Sequence, residues 1–203
     1  MAYEANVMRG LCCPCCGSDS VNSKQTEYTV DHFGVALMTV INCHKCGYRH
    51  SDVISLEKRD PIHVSARISS LADLNIKVIK SGTATITIPE FGVTITPGTY
   101  GEGFITNVEG VLRKVEDVLN FMLSSADDKC LSRGRMILRR LRLSRELEPS
   151  FTLIIEDPLG NSDLTFSDPS KIERRRLTES ELRKAKFGQY ALDSKGSSSS
   201  QLS

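Results

Sequence analysis

Two stretches in the middle of the chain alternate strictly. Ala84, Ile86 and Ile88 interleave with Thr83, Thr85 and Thr87, and Val93 and Ile95 with Thr94 and Thr96. A period of two built from β-branched residues predicts half-buried strands. Pro89 and Gly92 separate the two runs, and Pro97, Gly98 and Gly101 close the second. Phe-Thr-Leu-Ile-Ile-Glu at 151–156 predicts another strand, stopped by Asp157, Pro158, Leu159, Gly160 and Asn161, a stretch made of turn formers. Nearer the start, 26–30 and 35–41 read as two strands around Asp31, His32, Phe33 and Gly34.

Between the later strands the period changes. Val108, Val111, Leu112, Val115, Val118, Leu119 and Met122 trace one helical face. Thr106-Asn107-Val108-Glu109 has the form of a capping box, with the Thr106 hydroxyl taking a free amide and Glu109 reaching back. Residues 125–128 offer a break, and Ile137, Leu138, Leu141 and Leu147 then give a second apolar face, ended by Pro149. The pattern predicts a helical hairpin at about 106–148, inserted between strands. Three regions result: 1–56, a β-domain over 57–167, and 168–203, expected to be a helix and a flexible serine-rich tail.

Composition narrows the class. Of 203 residues, 39% are hydrophobic and 25% charged, enough for a core in a soluble chain. No apolar run approaches the roughly 20 residues that a bilayer crossing needs, and the first residues lack the pattern of a secretory signal. Twenty-six basic residues against 25 acidic give +1, which argues against a nucleic-acid-coating protein. Charge is nevertheless local. Residues 127–147 hold seven basic residues, among them Arg139 and Arg142, against three acidic.

Cysteine placement changes the picture most. There are seven, and six lie between Cys12 and Cys46. Two tight clusters on a chain without an export signal read as metal ligands held reduced, as in the cytoplasm. Cys13-Pro14-Cys15-Cys16-Gly17 and Cys43-His44-Lys45-Cys46-Gly47 each contain Cys-x-x-Cys-Gly, with 26 residues between the pairs. Two such turns supply four thiolates to one Zn2+, so Cys13, Cys16, Cys43 and Cys46 are the expected ligands. Cys12 and Cys15 share the Cys-x-x-Cys spacing, but only the 13/16 register sets Pro inside the turn and Gly directly after it. A four-thiolate iron site is the chemical alternative. The long gap predicts long hairpin arms in the ribbon, and Cys130 reads as a small core residue.

With these motifs in view, the chain resembles the Zpr ("zinc-finger protein one") family. The matching stretches are Cys-Pro-Cys-Cys-Gly at 13–17, Cys-His-Lys-Cys-Gly-Tyr at 43–48 and Lys-Ser-Gly-Thr-Ala at 80–84. Ile-Pro-Glu at 88–90, Thr-Asn-Val-Glu-Gly-Val-Leu at 106–112 and Asp-Pro-Leu-Gly-Asn-Ser at 157–162 continue the match. The resemblance implies a four-cysteine zinc ribbon followed by a double-stranded β-helix, a jelly-roll-like sandwich carrying the inserted hairpin. It also implies a single-unit member, of the archaeal type. The partner it implies is translation elongation factor 1-alpha, with the chain as its folding chaperone. Gly82 stands where the family commonly has an acidic residue and Asp163 where it has an aromatic, departures expected to bear on surface contacts.

The functional expectation is therefore a zinc-binding, non-enzymatic protein-binding factor. A closed four-sulfur site has no open position for catalysis, and only one histidine, His63, falls in the β-domain, too few for a jelly-roll metalloenzyme. Candidate contacts are Asp157, Pro158, Leu159, Gly160, Asn161 and Ser162, the 98–103 loop, the ribbon tip at His32 and Phe33, and the basic residues Arg139 and Arg142. The 157–162 stretch reads equally well as a plain turn. A zinc ribbon associated with RNA is the competing reading. It is weakened by the scarcity of stacking aromatics near the basic helix.

Overall fold

The computed structural model describes residues 6–31, 33–57, 59–97, 101–124, 128–147 and 149–185, with backbone alone for 128–130. The His32 tip, the side chain of Cys130, residues 98–100 and the serine-rich tail lie outside the described residues.

The first quarter of the chain is an antiparallel four-stranded sheet of β1 (Asn6–Leu11), β2 (Val21–Val30), β3 (Gly34–Cys43) and β4 (Arg49–Ser55), in that order. The hairpin arms β2 and β3 are ten residues each, as the spacing between the cysteine pairs requires. Gly34 closes the hairpin at φ +93°, a conformation that side chains with a Cβ resist.

Twelve strands are described in all. A five-stranded sheet runs β12 (Ile172–Arg176), β5 (Ile62–Ile68), β10 (Phe151–Asp157), β7 (Thr85–Ile88), β8 (Val93–Ile95). A three-stranded sheet runs β11 (Asp163–Thr165), β6 (Lys77–Lys80), β9 (Phe104–Asn107). Neighbours are antiparallel throughout both. Their inward faces share one apolar core. It includes Val64, Ala66 and Ile68 of β5, Leu153 and Ile155 of β10, Val78 of β6 and Leu164 of β11. The architecture is the mainly β, jelly-roll-like sandwich with an α insertion that the pattern and the resemblance imply.

The insertion follows β9 directly as α1 (Val108–Leu123) and α2 (Asp128–Glu146). Val108, Val111, Leu112 and Leu141 close the open side of the core. Two details differ from the sequence expectation. The cap is Asn107, whose side chain accepts from the Gly110 amide at 2.9 Å, rather than Thr106. Glu109 does not reach back; it pairs with Arg113 and with Arg145 of α2. Leu147 is exposed, because it follows the last turn of α2 and has no core beneath it.

The region from 168 on holds more than the expected helix. β12 pairs along all five of its residues with β5, from Ile62 to Ala66, before the short helix α3 (Glu179–Lys184). Its Ile-Glu-Arg-Arg-Arg sequence buries one residue only, so an edge strand is present without the alternation that marks one.

Asp73 ties this edge to the core. It is fully buried, and it accepts from the Ser69 and Ser70 amides and from Lys171. Burial pushes its carboxyl up, but Lys171 and the two amides outweigh that and hold it at about 2. A folded-state pKa below the unfolded one contributes stability above the unfolded value and loses it as pH falls. Wild-type stability should therefore drop between about pH 4 and pH 2. Acid titration of unfolding for Asp73→Asn should show a flatter limb in that window; an unchanged limb would remove Asp73 from the acid response.

Candidate metal centre and its surroundings

Each Cys-x-x-Cys-Gly turn folds by the same local rule. The Gly17 amide donates to the Cys13 carbonyl at 2.9 Å, and the Gly47 amide to the Cys43 carbonyl at 3.1 Å. Both glycines sit in the left-handed region, at φ +68° and +76°. The turns are closed from outside as well: Cys13 N donates to Ser18 O and Cys43 N to Tyr48 O, both at 2.8 Å. Cys43 ends β3 and the Cys13 turn precedes β2, whose Val21 pairs with Cys43. The hairpin register thus brings the two turns face to face.

The outcome is a cluster of four sulfurs, those of Cys13, Cys16, Cys43 and Cys46, all within 4.8 Å of one another. The Cys13–Cys46 and Cys16–Cys43 separations are 3.7 and 3.8 Å. A tetrahedral Zn2+ with Zn–S bonds of about 2.3 Å has S···S edges of about 3.8 Å, so the set fits the ion. The surroundings favour thiolate at Cys43 and Cys16. Backbone amides of Cys46 and then Lys45 pull the Cys43 thiol down to about 6. The Ser18 hydroxyl and amide lower Cys16. At Cys46 the Tyr48 amide acts in the same sense, but burial and the three neighbouring sulfurs push its thiol up to about 12. Four thiols this close resist collective ionisation until a cation joins them. Zn2+ is the cofactor this donor set suits. Cys12 and Cys15 are exposed and outside the cluster, and His44 bonds to Asn22 instead of the cluster.

A second convergence of His63, Glu156 and Glu181 lies on the outer face of the five-stranded sheet. It already holds a cation, Arg175, whose guanidinium reaches His63 Nδ1 at 3.0 Å and both oxygens of Glu181 at 2.7 and 2.8 Å.

The expected contact loop at 157–162 is not a surface loop. Asp157, Pro158, Gly160 and Ser162 are buried, Asn161 is half-buried, and only Leu159 is exposed. The reason is hydrogen bonding. Asp157 accepts from Ser81, Thr83 and Ser162 hydroxyls at 2.6–2.8 Å and from the Leu159 amide at 3.0 Å. Asn161 Oδ1 accepts from the Ser55 amide of β4 at 3.1 Å. Asp163 is likewise buried, between Arg59 and Arg174, and Gly82 donates to Asp52; neither departure from the family pattern is a free surface position. Lys80, ending an apolar run, is the sequence signal for this network.

The basic helix divides in two. Arg142 and Arg145 pair with Glu116 of α1 and hold the hairpin together. Arg139 is exposed, as are Arg133 and Arg135, and none of the three has a carboxylate partner among the described residues. On the same hairpin Val118, Phe121, Met122 and Met136 are exposed, Phe121 at 80%.

Comparison with known proteins agrees with this architecture. Residues 72–189 match the ZPR1 jelly-roll domain. A ZPR1-like protein of Methanocaldococcus jannaschii is 38% identical over 93% of this chain and 94% of its own length. A ZPR1-like protein of Pyrococcus horikoshii is 35% identical over 88% of the chain and 81% of its own. The zinc finger chaperone zpr1 of Schizosaccharomyces pombe is 31% identical over 75% of the chain, a match to 34% of that longer protein. A four-cysteine zinc ribbon joined to this jelly roll, over nearly the full length of the archaeal relatives, shows that the chain belongs to the ZPR1 family.

Proposed function

We propose that the chain is a zinc-stabilised, non-enzymatic protein-binding factor that binds and chaperones translation elongation factor 1-alpha in the cytoplasm. Zn2+ is held by Cys13, Cys16, Cys43 and Cys46. Four sulfurs fill a tetrahedron and leave no position for substrate, so the metal is structural. The observation that carries protein binding is the helical hairpin. It leaves large apolar side chains in water beside a groove of about 750 Å3 between β8 and α1, lined by Val93, Ile95, Val115, Leu119 and Ile137. Exposed apolar surface rimmed by charge marks an interaction site. The chaperone name of the fission-yeast relative supports the chaperone role, and the family resemblance supplies the partner. No helix among the described residues is long and apolar enough to cross a membrane.

Of the loop residues, Leu159 is the one left for contact, and of the arginines Arg139 serves better than Arg142, which is engaged by Glu116. Purified elongation factor 1-alpha, loaded with GDP or GTP, should be captured by the chain with unequal affinity, since a chaperone acts through differential binding. Phe121→Ser with Met122→Ser should weaken capture by tenfold or more, on the order of 1–3 kcal/mol for two apolar anchors. Arg139→Glu should chiefly slow association at low salt. The chain alone should not turn over GTP. No binding to either nucleotide form would sink the reading. Arg133, Arg135 and Arg139, exposed and without a carboxylate partner among the described residues, favour RNA as the second reading; RNA binding with steep salt dependence and no factor binding would select it.

A further inference from the structure

The ribbon and the β-domain meet at a junction of hydrogen-bonded polar groups, partly buried on the ribbon side and buried at Lys80, Ser81, Asp157 and Ser162 on the other. β4 supplies one side. Ser51 exchanges two hydrogen bonds with Gly103, amide to carbonyl and hydroxyl to carbonyl, both at 2.8 Å. Asp52 accepts from the Gly82 amide at 2.7 Å, and the Ser55 amide donates to Asn161. On the β-domain side, Lys80 is 2% exposed and donates to the carbonyls of Ser81 and Glu102. Ser162 accepts from the Ser81 amide at 2.9 Å and donates to Asp157. Close approach is permitted by glycine: a Cβ on Gly103 would fall 2.5 Å from the Val53 nitrogen. Beneath lies a small core shared by both parts, with Phe33, Ala36 and Val53 from the ribbon and Ile79 from β6. Arg59 stacks over the Phe33 ring at 4.0 Å and pairs with Asp163.

β4 is the lever between this junction and the metal. It begins at Arg49, next to the Cys46 turn, and ends at Ser55 on Asn161. Seven residues of strand span about 20 Å. β3 runs beside it from the shared core to Cys43. Zinc therefore grips one end of a sheet whose other end is bolted into the β-domain.

We infer that the 157–162 loop and the 80–83 turn form a coupling joint that makes the zinc ribbon and the β-domain one cooperative unit, with Asn161 as its positioning residue. Ligand binding at one end stabilises everything that unfolds with it, and the linkage is reciprocal. Zinc retention should then depend on Asn161, and β-domain stability on zinc. The inference is independent of which partner the surface binds.

The ribbon has no helix among the described residues, while α1 and α2 belong to the β-domain. Helical circular dichroism at 222 nm thus reports the β-domain, and a chromogenic zinc chelator reports the ribbon, on the full zinc-loaded chain. In the wild type the two midpoints on heating should coincide. In Asn161→Ala, which leaves the Ser55 amide without its acceptor, zinc release should come first, by about 5 °C or more. Asn161→Asp, which keeps an acceptor oxygen, should close most of that gap. Separate transitions in the wild type, or coincident ones in Asn161→Ala, would overturn the joint. If Asn161→Ala does not fold, Ser51→Ala, which removes one bond to Gly103, is read by the same two probes with the same criteria.

Discussion

Replacing Cys43 with serine should strip the chain of zinc. A serine hydroxyl is not a thiolate at neutral pH, and the three remaining sulfurs cannot close the tetrahedron. Structural zinc in finger peptides is worth on the order of 10–16 kcal/mol of apparent binding free energy at pH 7, against a typical domain stability of about 5–15 kcal/mol. The loss should therefore unfold the ribbon and, through the joint at 157–162, destabilise the β-domain with it. The same holds for Cys13, whose sulfur lies 3.7 Å from that of Cys46. Cys12→Ser and Cys15→Ser should keep one zinc per chain, because both side chains are exposed and outside the sulfur cluster. Elemental analysis of the purified variants decides the matter. Full zinc in Cys43→Ser, or loss of zinc in Cys12→Ser or Cys15→Ser, would mean that the ligand set is wrong.

That ligand set was legible because the chemistry is local. Four cysteines, two glycines and the spacing between them define two turns before any tertiary contact is known. The strands at 85–88 and 93–95 were legible too, since in each the apolar face is more deeply buried than the threonine face. β1 was not, because all six of its residues are exposed and its pairing with β2 is what makes it a strand. β6 and β11 are short and nearly continuous in burial, so they carry no period of two. The 157–162 stretch shows a deeper limit. Turn formers announce where the chain reverses, but not whether the turn faces water or another part of the molecule. Here Asp157, Ser162 and Asn161 spend their hydrogen bonds on residues 74 to 106 positions away as well as on each other. No local pattern carries that information.

The charge inside the junction sets the second large effect. Asp157 is fully buried and lies near the Lys80 ammonium, itself 2% exposed. Burial pushes the Lys80 ammonium toward its neutral form, and the charges of Asp157, Asp52 and Glu102 oppose that. Asp157→Ala would leave the hydroxyls of Ser81, Thr83 and Ser162 without this acceptor and the lysine without the carboxylate that most favours its charge. Leaving buried polar groups without their acceptor costs about 1–3 kcal/mol each, which summed over this network lowers the melting temperature of a chain of this size by about 10 °C. Asp157→Asn keeps one acceptor oxygen and the shape, and should fall between. Leu159→Ala, at the exposed tip of the same loop, should stay within about 0.5 kcal/mol of wild type. Urea unfolding followed at 222 nm separates the three. If Asp157→Ala matched Leu159→Ala in stability and instead lost only partner binding, the loop would be a contact surface and the buried network would have no structural role.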